Sequence, residues 1–98
     1  PVPAGFSLEY PYPNPFNPNT TIEFNLTKDS WVNLTIYDVM GREAARLENT
    51  IKNPGSHQIV WNADGFSNGV YFYHLSARPT DASDQPALTE TRKLILLK

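Results

Sequence analysis

The sequence predicts an all-β fold, an antiparallel β-sandwich of about seven strands. Hydrophobic residues recur with period two along most of the chain, as half-buried strands require. No window carries the i, i+3, i+4, i+7 apolar stripe of an amphipathic helix, and Asn, Thr and β-branched residues are frequent throughout. Turn signals separate the alternating runs at a spacing that leaves no room for crossover helices. This favours antiparallel pairing, and a sandwich over an open barrel.

The first element has an unusual composition. "YPYPNPFNPNT", Tyr10 to Thr20, holds four of the chain's nine prolines within eight residues. Tyr10, Tyr12, Asn14 and Asn17 each precede a proline and are pushed to extended geometry, while each proline fixes its own φ. A flexible tether would be rich in Gly and Ser, and a proline-recognition ligand would repeat every third residue rather than every second. Pro11, Pro13 and Pro15 place their missing donors along one side of an extended chain, leaving Tyr12, Asn14 and Phe16 to pair on the other. The expectation is an edge strand that opens the domain at residue 10, with residues 1–9 as a residual linker. A start at Pro1 rather than Met fits an excised module of something longer.

The remaining elements follow in order. "TIEFNL" puts Ile22, Phe24 and Leu26 on one face, and after the turn "TKDS" the run "SWVNLTIYD" sets Val32, Leu34 and Ile36 inward and Trp31, Asn33, Thr35 and Tyr37 outward. In "DVMGRE", Gly41 falls where a tight hairpin needs positive φ, so "REAARLEN" should pair back on the preceding strand. "KNPGS" is a turn, and "HQIVW" resumes the alternation with His57, Ile59 and Trp61 on one face. "NADGFSNG" turns the chain again. "VYFYHLSA" is apolar on both faces, as a central strand should be, with Tyr71, Tyr73 and Leu75 together. After the polar loop "RPTDASDQPA", the run "LTETRKLILLK" reads as a buried last strand.

Composition excludes several function classes. At 98 residues the chain has room for one core. Eight Lys and Arg stand against ten Asp and Glu with no clustering, so no field favours nucleic acid or an anionic membrane surface. The absence of cysteine excludes disulfides and thiolate chemistry. The longest apolar run, "LILL", is too short to span a bilayer. His57 and His74 lie on different strands without acidic residues at ligand spacing, and no serine sits in a nucleophile elbow. The expectation is a non-enzymatic module with no cofactor and no metal. The NxT sequons at Asn19, Asn25 and Asn33 are read as ordinary outward strand residues. Trp31 and Tyr37 stand out as aromatic residues on an outer face, the chemistry of a carbohydrate- or protein-binding platform.

Four strings, in this order and spacing, resemble a known family. They are "YPNPFNPNTTIEFNL" (Tyr12 to Leu26), "VNLTIYDVMGRE" (Val32 to Glu43), "GSHQIVWNADGFSNGVYFYHL" (Gly55 to Leu75) and "RKLILLK" (Arg92 to Lys98). Together they are similar to the C-terminal sorting domain of the type IX (Por) secretion system, type A, carried by cargo proteins of Bacteroidetes-like bacteria. The residues that carry the likeness are Tyr12, Pro13, Asn14, Pro15, Phe16, Asn17 and Pro18, then Gly41, Gly69 and Tyr71, then Lys93, Leu94, Ile95, Leu96, Leu97 and Lys98. Tyr10 and Pro11, Thr27 and Asn68 depart from the family's usual residues, all in turns or edges.

The resemblance implies an Ig-like sandwich at the C-terminus of a larger secreted protein, related to the Ig-like domain of the flagellar hook-capping protein. Its partners would be the upstream cargo domains of the same chain and the outer-membrane secretion machinery. Its path would run through the periplasm to the cell surface or the medium, with the signal either cut off or retained and the cargo released or anchored through lipopolysaccharide. The module would be a monomer, bind no nucleic acid and not insert into the membrane, and Lys93 to Lys98 would be offered to a receptor by strand pairing. The alternative is an accessory carbohydrate- or protein-binding module of a secreted enzyme, with Trp31 and Tyr37 as its platform.

Overall fold

The alternating runs become strands. In the computed structural model, which describes residues 6–81 and 88–98, they are β1 (Phe6–Leu8), β2 (Asn19–Leu26), β3 (Ser30–Asp38), β4 (Glu43–Lys52), β5 (Gly55–Asn62), β6 (Gly69–Pro79) and β7 (Leu88–Leu96). Two antiparallel sheets pack as a sandwich, one ordered β1-β2-β5 and the other β4-β3-β6-β7. The constant-type immunoglobulin arrangement puts its fourth strand on the sheet of the first. Here β4 instead pairs with β3, through the hairpin that Gly41 permits at φ 81°.

Period two explains the core. Ile22, Phe24, Val32, Leu34, Ile36, Tyr73, Leu75, Leu94 and Leu96 are completely buried between the sheets. The last strand's continuous apolar run divides by the same rule, with Leu94 and Leu96 inward and Ile95 half-buried on the outer face. As the two apolar faces of its sequence require, β6 is central, lying between β3 and β7. Thr35 is on the outer face but buried, and the larger sheet is irregular beside it: the β3–β4 register shifts between Leu34 and Thr35 and again between Ile36 and Tyr37.

Two expectations change. The seventh strand is not the proline segment but the three-residue β1, which lies ahead of residue 10, pairs with β2, and buries Leu8. Between Tyr10 and Pro18 there is no continuous strand, only two isolated bridges, Tyr12 antiparallel to Thr21 and Phe16 parallel to Leu96, and three cis X-Pro bonds. Tyr12 and Phe16 are two of the three residues whose amides the proline spacing left free, and the third, Asn14, makes no bridge. Tyr12 and Phe16 pair with strands of different sheets, so the segment is a strap running from the smaller sheet to the larger one.

Candidate functional site

The strap brings the first and last motif strings together on the outer edge of β7. The Phe16 amide donates to the Ile95 carbonyl at 2.9 Å, and the Leu97 amide donates to the Phe16 carbonyl at 3.0 Å. Asn14 continues this ladder with its side chain. Its Nδ2 donates to the Lys93 carbonyl at 3.1 Å and its Oδ1 accepts from the Ile95 amide at 2.9 Å, as a peptide group of a neighbouring strand would. Phe16 is buried, with its ring centroid 5.5 Å from that of Trp61. Thr20 fastens the strap from the other side by donating to the Pro13 carbonyl at 2.8 Å, and the Ala63 amide donates to the Pro18 carbonyl at 2.8 Å.

The two middle strings meet at the same end of the sandwich. In the β3–β4 turn, Asp38 Oδ1 accepts from the Met40 amide at 2.9 Å and the Arg42 amide at 3.0 Å, while its Oδ2 accepts from Arg42 Nε at 3.0 Å. These donors, led by the Arg42 amide, hold the Asp38 carboxyl below the ordinary aspartate range. Asp38 stands in register with Tyr71, and a shallow trough of about 270 Å³ separates this turn from Ser67, Asn68, Gly69 and Val70. Gly69, at φ 146°, starts β6 from a backbone conformation that side chains rarely adopt. Asn68 Oδ1 accepts from the Lys98 amide at 2.9 Å, which ties the terminal string to the third. Below them, Trp61 packs against both Phe66 and Tyr71 at 5.4 Å between centroids, and the Tyr71 hydroxyl donates to the Ser67 carbonyl at 2.7 Å.

Most of the sequence-derived motif residues therefore gather at one end, and the structure divides them by exposure. Phe16, Tyr71, Leu94 and Leu96 are buried. Tyr12, Pro13, Asn14, Pro15, Asn17, Gly41, Lys93, Leu97 and Lys98 are exposed, and Pro18, Gly69 and Ile95 are intermediate. The main-chain groups of Ile95, the Lys93 carbonyl and the Leu97 amide, which a receptor strand would need for pairing at this edge, are already engaged by Asn14 and Phe16.

The aromatic platform is less unified. Trp31 and Tyr37 share the outer face of β3 but stand six residues apart, about 20 Å along the strand. Around Trp31 there is an open trough of about 530 Å³ lined with Asn33, Ser76 and Arg78. The indole Nε1 donates to Asn49 Oδ1 at 3.0 Å, which fixes a ring that is 45 % exposed. The histidines lie apart: a His57 ring nitrogen contacts the Asn53 carbonyl at 2.7 Å and His74 contacts Thr91 Oγ1 at 2.8 Å.

One cluster had no sequence signal beyond its separate residues. Tyr73 is completely buried, in register with Arg92, and burial pushes its hydroxyl up to about 12 against the opposing pull of that guanidinium. Neither the Tyr73 hydroxyl nor Arg92 Nη1 has a hydrogen-bond partner among the described residues. Arg92 lies under the Tyr10 ring, 4.5 Å from its centroid.

The sandwich thus brings several of its motif residues together at one strapped end, beside an open trough. The sequence matches the family of secretion system C-terminal sorting domains over residues 11–86, and the chain belongs to that family, a C-terminal domain of type IX secretion. No curated protein matches it. The matched span takes in the first three motif strings and ends before "RKLILLK".

Proposed function

We propose that this domain is the non-catalytic signal that directs a cargo protein, joined upstream in the same chain, through the periplasm and across the outer membrane to the surface or the medium. The observation that carries this reading is the family match over residues 11–86. The strapped end supports it, because the strings that define the resemblance build one continuous structure rather than scattered turns. On this reading Asn14, Phe16 and the buried residues of Lys93 to Lys98 build the signal, and exposed Leu97 and Lys98 are its outward features.

The test is export of a periplasmic reporter fused ahead of residues 1–98 in a type IX host. The fusion is expected outside the outer membrane, and the reporter alone in the periplasm. Equal retention of both would overturn the proposal. Deleting the last residues is a poor test, because it removes Leu94 and Leu96 from the core and so confounds sorting with folding. Exchanging Leu97 and Lys98 for Ser leaves the core intact and asks about the outward features alone.

The Trp31 trough favours a second reading, a glycan- or protein-binding accessory module. A fixed, half-exposed indole beside Arg78, which has no ion pair among the described residues, is suited to stacking and hydrogen bonding. Affinity electrophoresis on polysaccharides should then show retardation that Trp31→Ala abolishes. Unretarded migration of the parent domain would remove the glycan reading.

A further inference from the structure

The sandwich has four sheet edges, and three are blunted. The outer edge of β7 is filled from Lys93 to Leu97 by Asn14 and Phe16, and carries Glu90, Arg92 and Lys93 besides. The edge strand β4 is bulged twice against β3 and holds Glu43, Arg46, Glu48 and Lys52, paired as Arg46–Glu43 at 3.1 Å and Lys52–Glu48 at 3.2 Å. The remaining blunted edge, β1, has three residues among those described. Short length, bulges, charge and cover are the usual defences against strand addition.

Among the described residues, the fourth edge, β5, has none of them. "GSHQIVWN" runs eight residues without proline, Asp, Glu, Lys or Arg, and pairs with β2 in unbroken register from Asn19–Asn62 to Leu26–Gly55. The direction of its free groups follows from its neighbour. Thr21 exchanges both main-chain hydrogen bonds with Tyr12, and the Glu23 carbonyl accepts from the Glu9 amide, so both residues face away from β5. Their register partners Val60 and Gln58 must then face away from β2, and Ser56 with them by alternation. Three residues thus present N–H and C=O at a regular edge that no other described strand pairs with, with their side chains exposed and Val60 58 % exposed.

We propose that β5 is where the secretion machinery binds, by adding an extended segment of its own alongside Ser56 to Val60. This inference rests on the sorting reading above. A row of alternate main-chain donors and acceptors is complementary only to another strand, and the lack of charge from Gly55 to Asn62 selects a segment uncharged at its centre. The Tyr12–Glu23–Gln58 network, with Tyr12 donating to Glu23 Oε1 at 2.8 Å and Gln58 Nε2 to the same oxygen at 3.2 Å, holds the outer surface beside this edge. The strap would leave the edge free while closing the opposite one, so that pairing is directed to a single side.

The test uses the reporter fusion with Val60→Pro, which removes an outward N–H while leaving the β2 ladder whole, and Val60→Lys, which puts a charge on the edge. Circular dichroism and thermal melting check the fold of each, and if the proline variant fails to fold, the lysine variant decides. Folded variants are expected to lose export by about tenfold or more, the proline by leaving an acceptor of the added segment unmatched and the lysine by setting a charge against a segment uncharged at its centre. Export of folded variants at the parent level would overturn the docking edge while leaving the sorting role intact. A parent fusion retained in the periplasm would overturn both. Light scattering showing a dimer of the parent that Val60→Pro dissolves would assign the edge to a second copy of this chain, and so overturn it as well.

Discussion

Asn14 does at one residue what a whole strand would otherwise do. Its amide gives a donor and an acceptor to β7 in the geometry of a peptide group, so Asn14→Ala strips two hydrogen bonds from the edge. The expected loss is about 1–2 kcal/mol in urea denaturation, reduced toward the lower figure because water reaches the site. Tyr73 presents the opposite case. Its hydroxyl is buried without a hydrogen-bond partner among the described residues, so Tyr73→Phe should be neutral or stabilising by up to about 1 kcal/mol. Its titration has a definite sign. Because the folded-state value lies at about 12, above the ordinary 10.0, the unfolded chain gives up its proton first. The contribution of Tyr73 is complete below the unfolded value and is lost as pH rises through about 12. Melting temperature measured up that alkaline range should fall in the parent, and fall less in Tyr73→Phe. Asp38 has the reverse sign: its lowered carboxyl stabilises the β3–β4 turn at neutral pH, and that contribution disappears on acidification through its folded value.

Among the elements, those governed by alternation were legible in the sequence and those governed by distant pairing were not. Ile22, Phe24 and Leu26, or Val32, Leu34 and Ile36, announce their buried face by spacing alone, and Gly41 announces its hairpin by its φ. The strap was half legible. Proline spacing marked the amides of Tyr12, Asn14 and Phe16 as free to pair, and the first and last do pair, but it could not say that these two serve different sheets, nor that Asn14 pairs instead through its side chain with residues 79 and 81 positions away. Phe6–Leu8 is too short to show a period, so β1 escaped notice, and the Tyr73–Arg92 pair depends on the β6–β7 register, which no local pattern fixes. The strap's anchor is Phe16, which sits against Trp61 in the core. Phe16→Ala should cost about 3–5 kcal/mol by the cavity it leaves. Hydrogen exchange would then show the β7 amides Ile95 and Leu97 losing protection before those of β3.

At the scale of the molecule, the four strings are spread over the chain and through both sheets, and their turn and strap residues gather at one end of the sandwich, from the Asp38 turn to the strap. Family membership and fold therefore have a common cause: several of the residues that carry the resemblance close the structure. Phe16 and Leu96 are core, Asn14 caps an edge, and Gly69 starts a strand. The residues that would meet the export machinery need not be these closing residues: β5 opens the third string, but becomes a docking candidate only when its edge is compared with the other three. The central claim is that these residues, folded, suffice to send an attached protein across the outer membrane. Its most direct measurement is the fraction of a periplasmic reporter recovered outside the cell when fused to residues 1–98, in matched hosts with and without the type IX translocon. The account predicts a folded fusion outside the cell only where the translocon is present. The same fraction in both hosts would contradict it.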